Sequence, residues 1–223
     1  MGSGKKERLR RIFDPADGRA VCVAADHGWM SDMTFNVVEL ERITRQVVEG
    51  GADAILMSFG QATNLGYLLR GRNTPALLVR ADWMNMPRLG GANEIMNAVP
   101  VQKLKRVAAG QAEDALKLGA SAITIYYFIG YSDKFEAQNV ESLAIFAREC
   151  SRIGLPCIIE PLAVGGMVSG LNMAKLLQSA ARIAVEIGAD ALKIPYTNDI
   201  ESFKELVRGC EVPVMMLGGA RSF

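Results

Sequence analysis

The sequence predicts an α/β protein of the (βα)8 TIM-barrel class, with the eighth strand and last helices missing from its 223 residues. Three observations predict it. Short apolar runs alternate along the chain with longer stretches of helical period, which implies parallel strands joined by crossover helices. The segments Gly51-Ala52-Asp53-Ala54-Ile55, Gly119-Ala120-Ser121-Ala122-Ile123 and Gly188-Ala189-Asp190-Ala191-Leu192 repeat one pattern at spacings of 68 and 69 residues. Between them Pro75, Pro156 and Pro213 open the intervening strands, as proline is tolerated at a strand's first residue. Strands therefore come in pairs, and the first one, near Val21, lacks the partner that would be an eighth. The alternative, a doubly wound open sheet, would place a Gly-rich phosphate fingerprint after the first strand, and none is there.

In chain order, residues 1–19 form a basic, polar extension or helix ahead of one barrel domain over 20–223. Strands are predicted at 21–25, 54–58, 76–81, 122–128, 157–160, 191–195 and 214–217. Helices are predicted at 37–49, 64–69, 110–118, 140–153, 173–187 and 200–207. The fifth shows the spacing well, with Leu176, Leu177, Ala180, Ile183, Ala184 and Ile187 on one stripe. Stretches 82–100 and 165–172 read as long strand-to-helix loops, which in a barrel build the active face.

Composition narrows the function. A hydrophobic fraction of 50% supports a sizeable core, and 25 Lys+Arg against 24 Asp+Glu leave no charge excess for nucleic acid or an anionic membrane. A small molecule is the expected partner. No apolar run approaches the roughly 20 residues of a membrane span, and the basic start is not a signal peptide, so a cytoplasmic location is expected. Four cysteines without Cys-x-x-Cys spacing read as buried thiols. The single histidine, His27, cannot supply the imidazoles of a typical catalytic zinc site, so no metal or other cofactor is expected.

Chemistry on this fold sits at the C-terminal ends of the strands. Those positions hold Asp26, Arg80, Asp82, Tyr126, Tyr127, Glu160, Lys193 and Gly218-Gly219. Lys193 lies inside an apolar strand; a lysine taken out of water tends toward the neutral, nucleophilic amine, or else is a structural ion-pair partner of Glu160 or Asp26. Glu160 is either a proton shuttle beside it or an ion pair or helix cap. Asp26 either orients or deprotonates substrate or caps a turn, and His27 either adds a hydrogen bond or is solvated. Arg80 is a fork for an anionic substrate group or a barrel ion pair. The tyrosines read as core. Gly218 and Gly219 let backbone N–H groups approach a phosphate, or make a plain turn.

These residues resemble the class I (Schiff-base) aldolases of the archaeal-type fructose-bisphosphate aldolase group, which includes aminodideoxyheptulosonate synthases and the autoinducer-processing thiolase. The resemblance runs from about Ala20 to Gly219. It is carried by Val23-Ala24-Ala25-Asp26-His27-Gly28, by Ala189-Asp190-Ala191-Leu192-Lys193-Ile194-Pro195-Tyr196-Thr197 with Asp199, and by the strand from Val212-Pro213-Val214 to Gly218-Gly219. It implies Lys193 as the iminium-forming amine, Asp26 as an acid/base or orienting carboxylate, and a homo-oligomer of five-fold ring type. Where the fructose-bisphosphate aldolases have a tyrosine acid/base on the fifth strand, this sequence has Leu162. Glu160-Pro161 is instead similar to the tagatose-bisphosphate and sulfofructose-phosphate aldolases, whose strand-five glutamate handles the proton. The expected activity is a metal-independent lyase of carbohydrate metabolism, cleaving or forming a phosphorylated ketose. The alternatives are acyl transfer or transaldol chemistry through the same lysine, and a non-catalytic metabolite-binding barrel.

Overall fold

Residues 2–26, 39–85, 103–166, 168–170 and 172–218 are described by the computed structural model. They fall into two units, Met1–Thr124 and Ile125–Phe223, divided within one strand.

The first unit opens with α1 (Ser3–Arg10), β1 (Cys22–Ala24), α2 (Leu40–Glu49) and β2 (Ala54–Ser58). It continues through α3 (Phe59–Leu65), a 3₁₀ turn (Gly66–Leu69), β3 (Ala76–Arg80), β4 (Asp82–Met84), β5 (Arg106–Ala108), α4 (Ala112–Lys117) and the first three residues of β6 (Ala122–Ile129). Its sheet runs β1-β2-β3-β6, all parallel, in the register Cys22↔Ala54, Ala54↔Ala76 and Leu78↔Ala122. Every residue of β2 and β3 is buried, as befits strands covered on both faces. Apart from this sheet, β4 and β5 pair antiparallel, Asp82 opposite Ala108 and Met84 opposite Arg106.

The second unit holds the rest of β6, α5 (Asp133–Ile153), β7 (Cys157–Ala163), α6 (Met173–Ile187), β8 (Ala191–Pro195), α7 (Ile200–Arg208) and β9 (Val214–Leu217). Its order is β6-β7-β8-β9, again parallel where registered, with Ile158↔Ala191 and Leu192↔Val214. Helix α6 buries Leu177, Ala180 and Ala184 of the stripe read from the sequence, with Ala181 beside them, leaves Leu176, Ile183 and Ile187 half-buried, and packs on β7 and β8. Strand β6 is the last of one unit's sheet and the first of the other's.

All seven predicted barrel strands are present, and several boundaries move for local reasons. Helix α3 starts at Phe59 rather than 64, because Ser58 ends β2 and caps it at once: its hydroxyl accepts from Gln61 N–H while the Gln61 side chain accepts from Ser58 N–H. Helix α5 starts at Asp133 rather than 140, capped by the Ser132 side chain on the Phe135 N–H. Strand β7 runs on through Pro161 to Ala163 instead of ending at Glu160. Of the loop expected at 82–100, residues 82–84 are β4, and 86–100 lie outside the described residues. Residues 37 and 38, His27 and Gly219 also lie outside them. Among the described residues, no strand follows β9 and no helix is long and apolar enough to cross a membrane.

Candidate active site

The register of β7 and β8 decides where Lys193 finds its partner. The ladder pairs Ile158 with Ala191 and Ile159 with Leu192, so one step further Glu160 lies beside Lys193. Lys193 Nζ donates to Glu160 Oε2 at 3.2 Å, and both side chains are largely withdrawn from water, at 11% and 3% exposure. On the other flank Lys193 is in register with Met215 of β9, also buried. An ammonium and a carboxylate are costly to desolvate, and their contact offsets that cost only in part. Downstream, the resemblance residue Asp199 is a helix cap, its carboxylate accepting from the Ser202 N–H at 2.8 Å.

The first unit gathers a second set of charges at the strand ends. Ser58, Arg80 and Thr124 share one register row. Asp26 follows β1 by two residues, level with Ser58 two residues beyond the pair Ala24↔Leu56. Gln61 of α3 ties this end of β1 down by donating to the Ala25 carbonyl at 3.1 Å. Arg80 Nε donates to Asp26 Oδ2 at 2.9 Å, and Arg80 Nη1 stands 3.9 Å from Asp82 Oδ1. Asp82 in turn accepts from Arg106 Nε at 2.5 Å. The four side chains are between 0% and 3% exposed.

The predicted residues thus meet as Lys193 with Glu160 in one unit and Asp26 with Arg80 in the other. Gly218 closes β9, with open space where a Cβ would stand. Tyr126 and Tyr127 are core: Tyr126 stacks on Phe128, and Tyr127 donates to Glu136 at 3.4 Å. Burial foremost, and the Glu136 charge after it, push the Tyr127 phenol well above the usual tyrosine range, so it stays protonated. Sequence reasoning singled out Asp82 but missed Arg106, which sits beside Lys103 and Lys105 and reads there as a solvated basic run. The only signal was its alternation with Val107 in a short β-type stretch.

Comparison with known proteins bears on the family and the fold. The family description "DeoC/LacD family aldolase" matches residues 20–223, beginning where the sequence placed the start of the barrel. The 2-amino-3,7-dideoxy-D-threo-hept-6-ulosonate synthase of Halobacterium salinarum is 32% identical over 97% of this chain and 74% of its own length. The class 1 fructose-bisphosphate aldolase of Thermoproteus tenax is 32% identical over 97% of this chain and 77% of its own. A solved archaeal fructose-1,6-bisphosphate aldolase, with its catalytic Lys covalently bound to the carbinolamine intermediate of the substrate, superposes with a TM-score of 0.75. It shares 27% identity over 98% of this chain and 81% of that one. The seven parallel strands and their crossover helices are those of this TIM-barrel-like fold.

Proposed function

The chain belongs to the DeoC/LacD family of aldolases, carbon–carbon lyases, and from that premise we propose that it cleaves and forms a phosphorylated ketose through a Schiff base on Lys193. The observation that carries the reading is the enclosed contact of 3.2 Å between Lys193 Nζ and Glu160 Oε2.

That contact supplies the first proton transfer. Glu160 takes a proton from Lys193, and the amine attacks the ketose carbonyl; the carbonyl oxygen becomes the hydroxyl of a carbinolamine, then leaves as water once Glu160 returns a proton to it. The resulting iminium accepts the electron pair when the carbon–carbon bond beyond the adjacent carbon breaks, as the hydroxyl on the far carbon gives its proton to Glu160, by then a carboxylate again. An aldehyde departs and an enamine remains. Protonation at carbon and hydrolysis then release the second product and the free lysine. The substrate's phosphate is assigned to backbone N–H groups at Gly218 and Gly219, and a hydrogen bond to its hydroxyls to His27. A part for Asp26 in proton handling rests on the resemblance of Asp26-His27-Gly28.

Borohydride reduction in the presence of dihydroxyacetone phosphate tests the reading. The expected result is a covalent adduct that peptide mapping places on Lys193. Lys193→Met abolishes both the adduct and turnover. Glu160→Gln removes the strand-five acid/base and leaves Lys193 in place, so trapping persists. Carbon–carbon cleavage falls on the order of 10²-fold or more, the scale of a lost acid/base. An adduct on another lysine overturns the assignment, and activity that a chelator removes overturns the mechanism. Product analysis with a panel of phosphorylated ketones, with and without coenzyme A, separates aldol cleavage from acyl transfer by the same amine.

A further inference from the structure

Four charged side chains in the first unit form an alternating row, Asp26, Arg80, Asp82, Arg106, in which each member meets the next. Two are anions and two cations, so the row is neutral as a whole, yet none of the four is more than 3% exposed. Apolar side chains of like volume would hold such a place with equal or greater stability, so stability alone does not explain four enclosed charges. Their placement points elsewhere. Arg80 and Asp26 stand at the C-terminal ends of barrel strands, where this fold keeps its chemistry, whereas Asp82 and Arg106 belong to the antiparallel β4–β5 pair outside the barrel sheet.

We propose that this row is the device that orients Asp26, which makes Arg80, Asp82 and Arg106 positioning residues rather than ligands of the substrate. The proposal rests on the reading above that Asp26 moves a proton. Arg80 starts on β3 and must pass β2 to reach the end of β1, two strand spacings of roughly 4.8 Å each, a span that suits a long side chain. Its planar fork faces Asp26 with Nε and Asp82 with Nη1, and only a guanidinium offers both contacts in fixed geometry. Arg106 then holds Asp82 from the opposite strand of the β4–β5 pair. The position of that pair is thereby read out at Asp26. A carboxylate turned or displaced by about 1 Å loses on the order of 10²-fold in rate, so remote members of the row register in the proton step.

The test reads two steps on the whole chain with dihydroxyacetone phosphate: borohydride adduct at Lys193 for the amine step, and exchange of substrate carbon-bound hydrogen in deuterium oxide for the proton step. Arg106→Gln is expected to slow exchange about tenfold or more, with adduct yield within about twofold of wild type. In an Asp26→Asn background the same substitution is expected to change exchange by less than about twofold, because its effect passes through Asp26. Arg106→Lys, which keeps the charge, restores most of the rate; if Arg106→Gln fails to melt cooperatively, Asp82→Asn is put through the same cycle. Equal losses in both backgrounds, or exchange and adduct falling together, overturn the proposal and leave the Schiff-base reading standing. Wild-type protein that forms no adduct on Lys193 overturns both.

Discussion

Two aspartates of the Gly-Ala-Asp repeats do the same work in the two units. Asp53 Oδ2 accepts the Val21 N–H at 2.7 Å, and Asp190 Oδ2 accepts the Cys157 N–H at 2.9 Å, so each carboxylate just before one strand holds the opening of the strand beside it. The Asp190 bond is buried and the Asp53 bond is exposed. Asp190→Ala is therefore expected to cost about 1–3 kcal/mol, the scale of a buried donor left unsatisfied, and Asp53→Ala less. Urea unfolding checks this: the midpoint falls while the slope stays constant. Cys210 yields a pH prediction. Burial pushes its thiol above the ordinary range, and Sγ donates to the Leu206 carbonyl at 3.2 Å. A raised pKa means the fold favours the protonated thiol. Its contribution to stability is thus complete below the ordinary thiol pKa of about 8.5 and fades as pH rises through the folded value. Iodoacetamide should modify Cys210 in the folded chain more slowly at pH 8 than it modifies glutathione; equal rates would contradict it.

At the scale of elements, the loop after β7 has no freedom at Gly165. Its φ of +129° suits glycine, and an added Cβ would collide with the carbonyl of Gly130, itself at φ +91° in the turn after β6. The neighbouring Val164 N–H donates to Ile129 O at 2.9 Å, so the two strand ends are fastened together. Gly165→Ala is expected to lower the melting temperature by several degrees in a thermal unfolding scan, in keeping with about 1–3 kcal/mol of backbone strain. The strands were legible because parallel strands covered on both faces are continuous apolar runs, and β2, β3 and β6 are buried along their whole length. The β4–β5 pair was not, because Asp82-Trp83-Met84 and Arg106-Val107-Ala108 are three residues each and mix charge with bulk. The start of α5 was hidden by the polar first turn Asp133-Lys134-Phe135-Glu136, which carries no stripe. Pro161 reads as a stop from sequence alone. In the fold it lies beyond the residues registered between β7 and β8, where a missing N–H breaks none of those bonds. Of the site, Lys193 and Glu160 were legible as charges inside apolar strands, while the Arg106 contact depends on an antiparallel pairing across more than twenty residues of chain, which no local pattern encodes.

On the scale of the molecule, β6 is the strand that belongs to both units. All eight of its residues are buried, and the chain passes from one unit to the other inside it. Its amides are expected to exchange with solvent only through global unfolding, whereas those of α1, a polar and mostly exposed helix, exchange by local fraying; native-state hydrogen exchange at rising denaturant distinguishes the two classes. The Lys193–Glu160 pair shares this rigidity, since backbone ladder bonds set it one step past Ile159 and Leu192. A slip of one residue would bring Ile159 or Pro161 to that place and turn the carboxylate to the opposite face. Loops carry no such constraint, and they are where substrate shape is sensed. With the charged pair held by the ladder and the loops outside it, loop residues can be exchanged without moving Lys193 off Glu160.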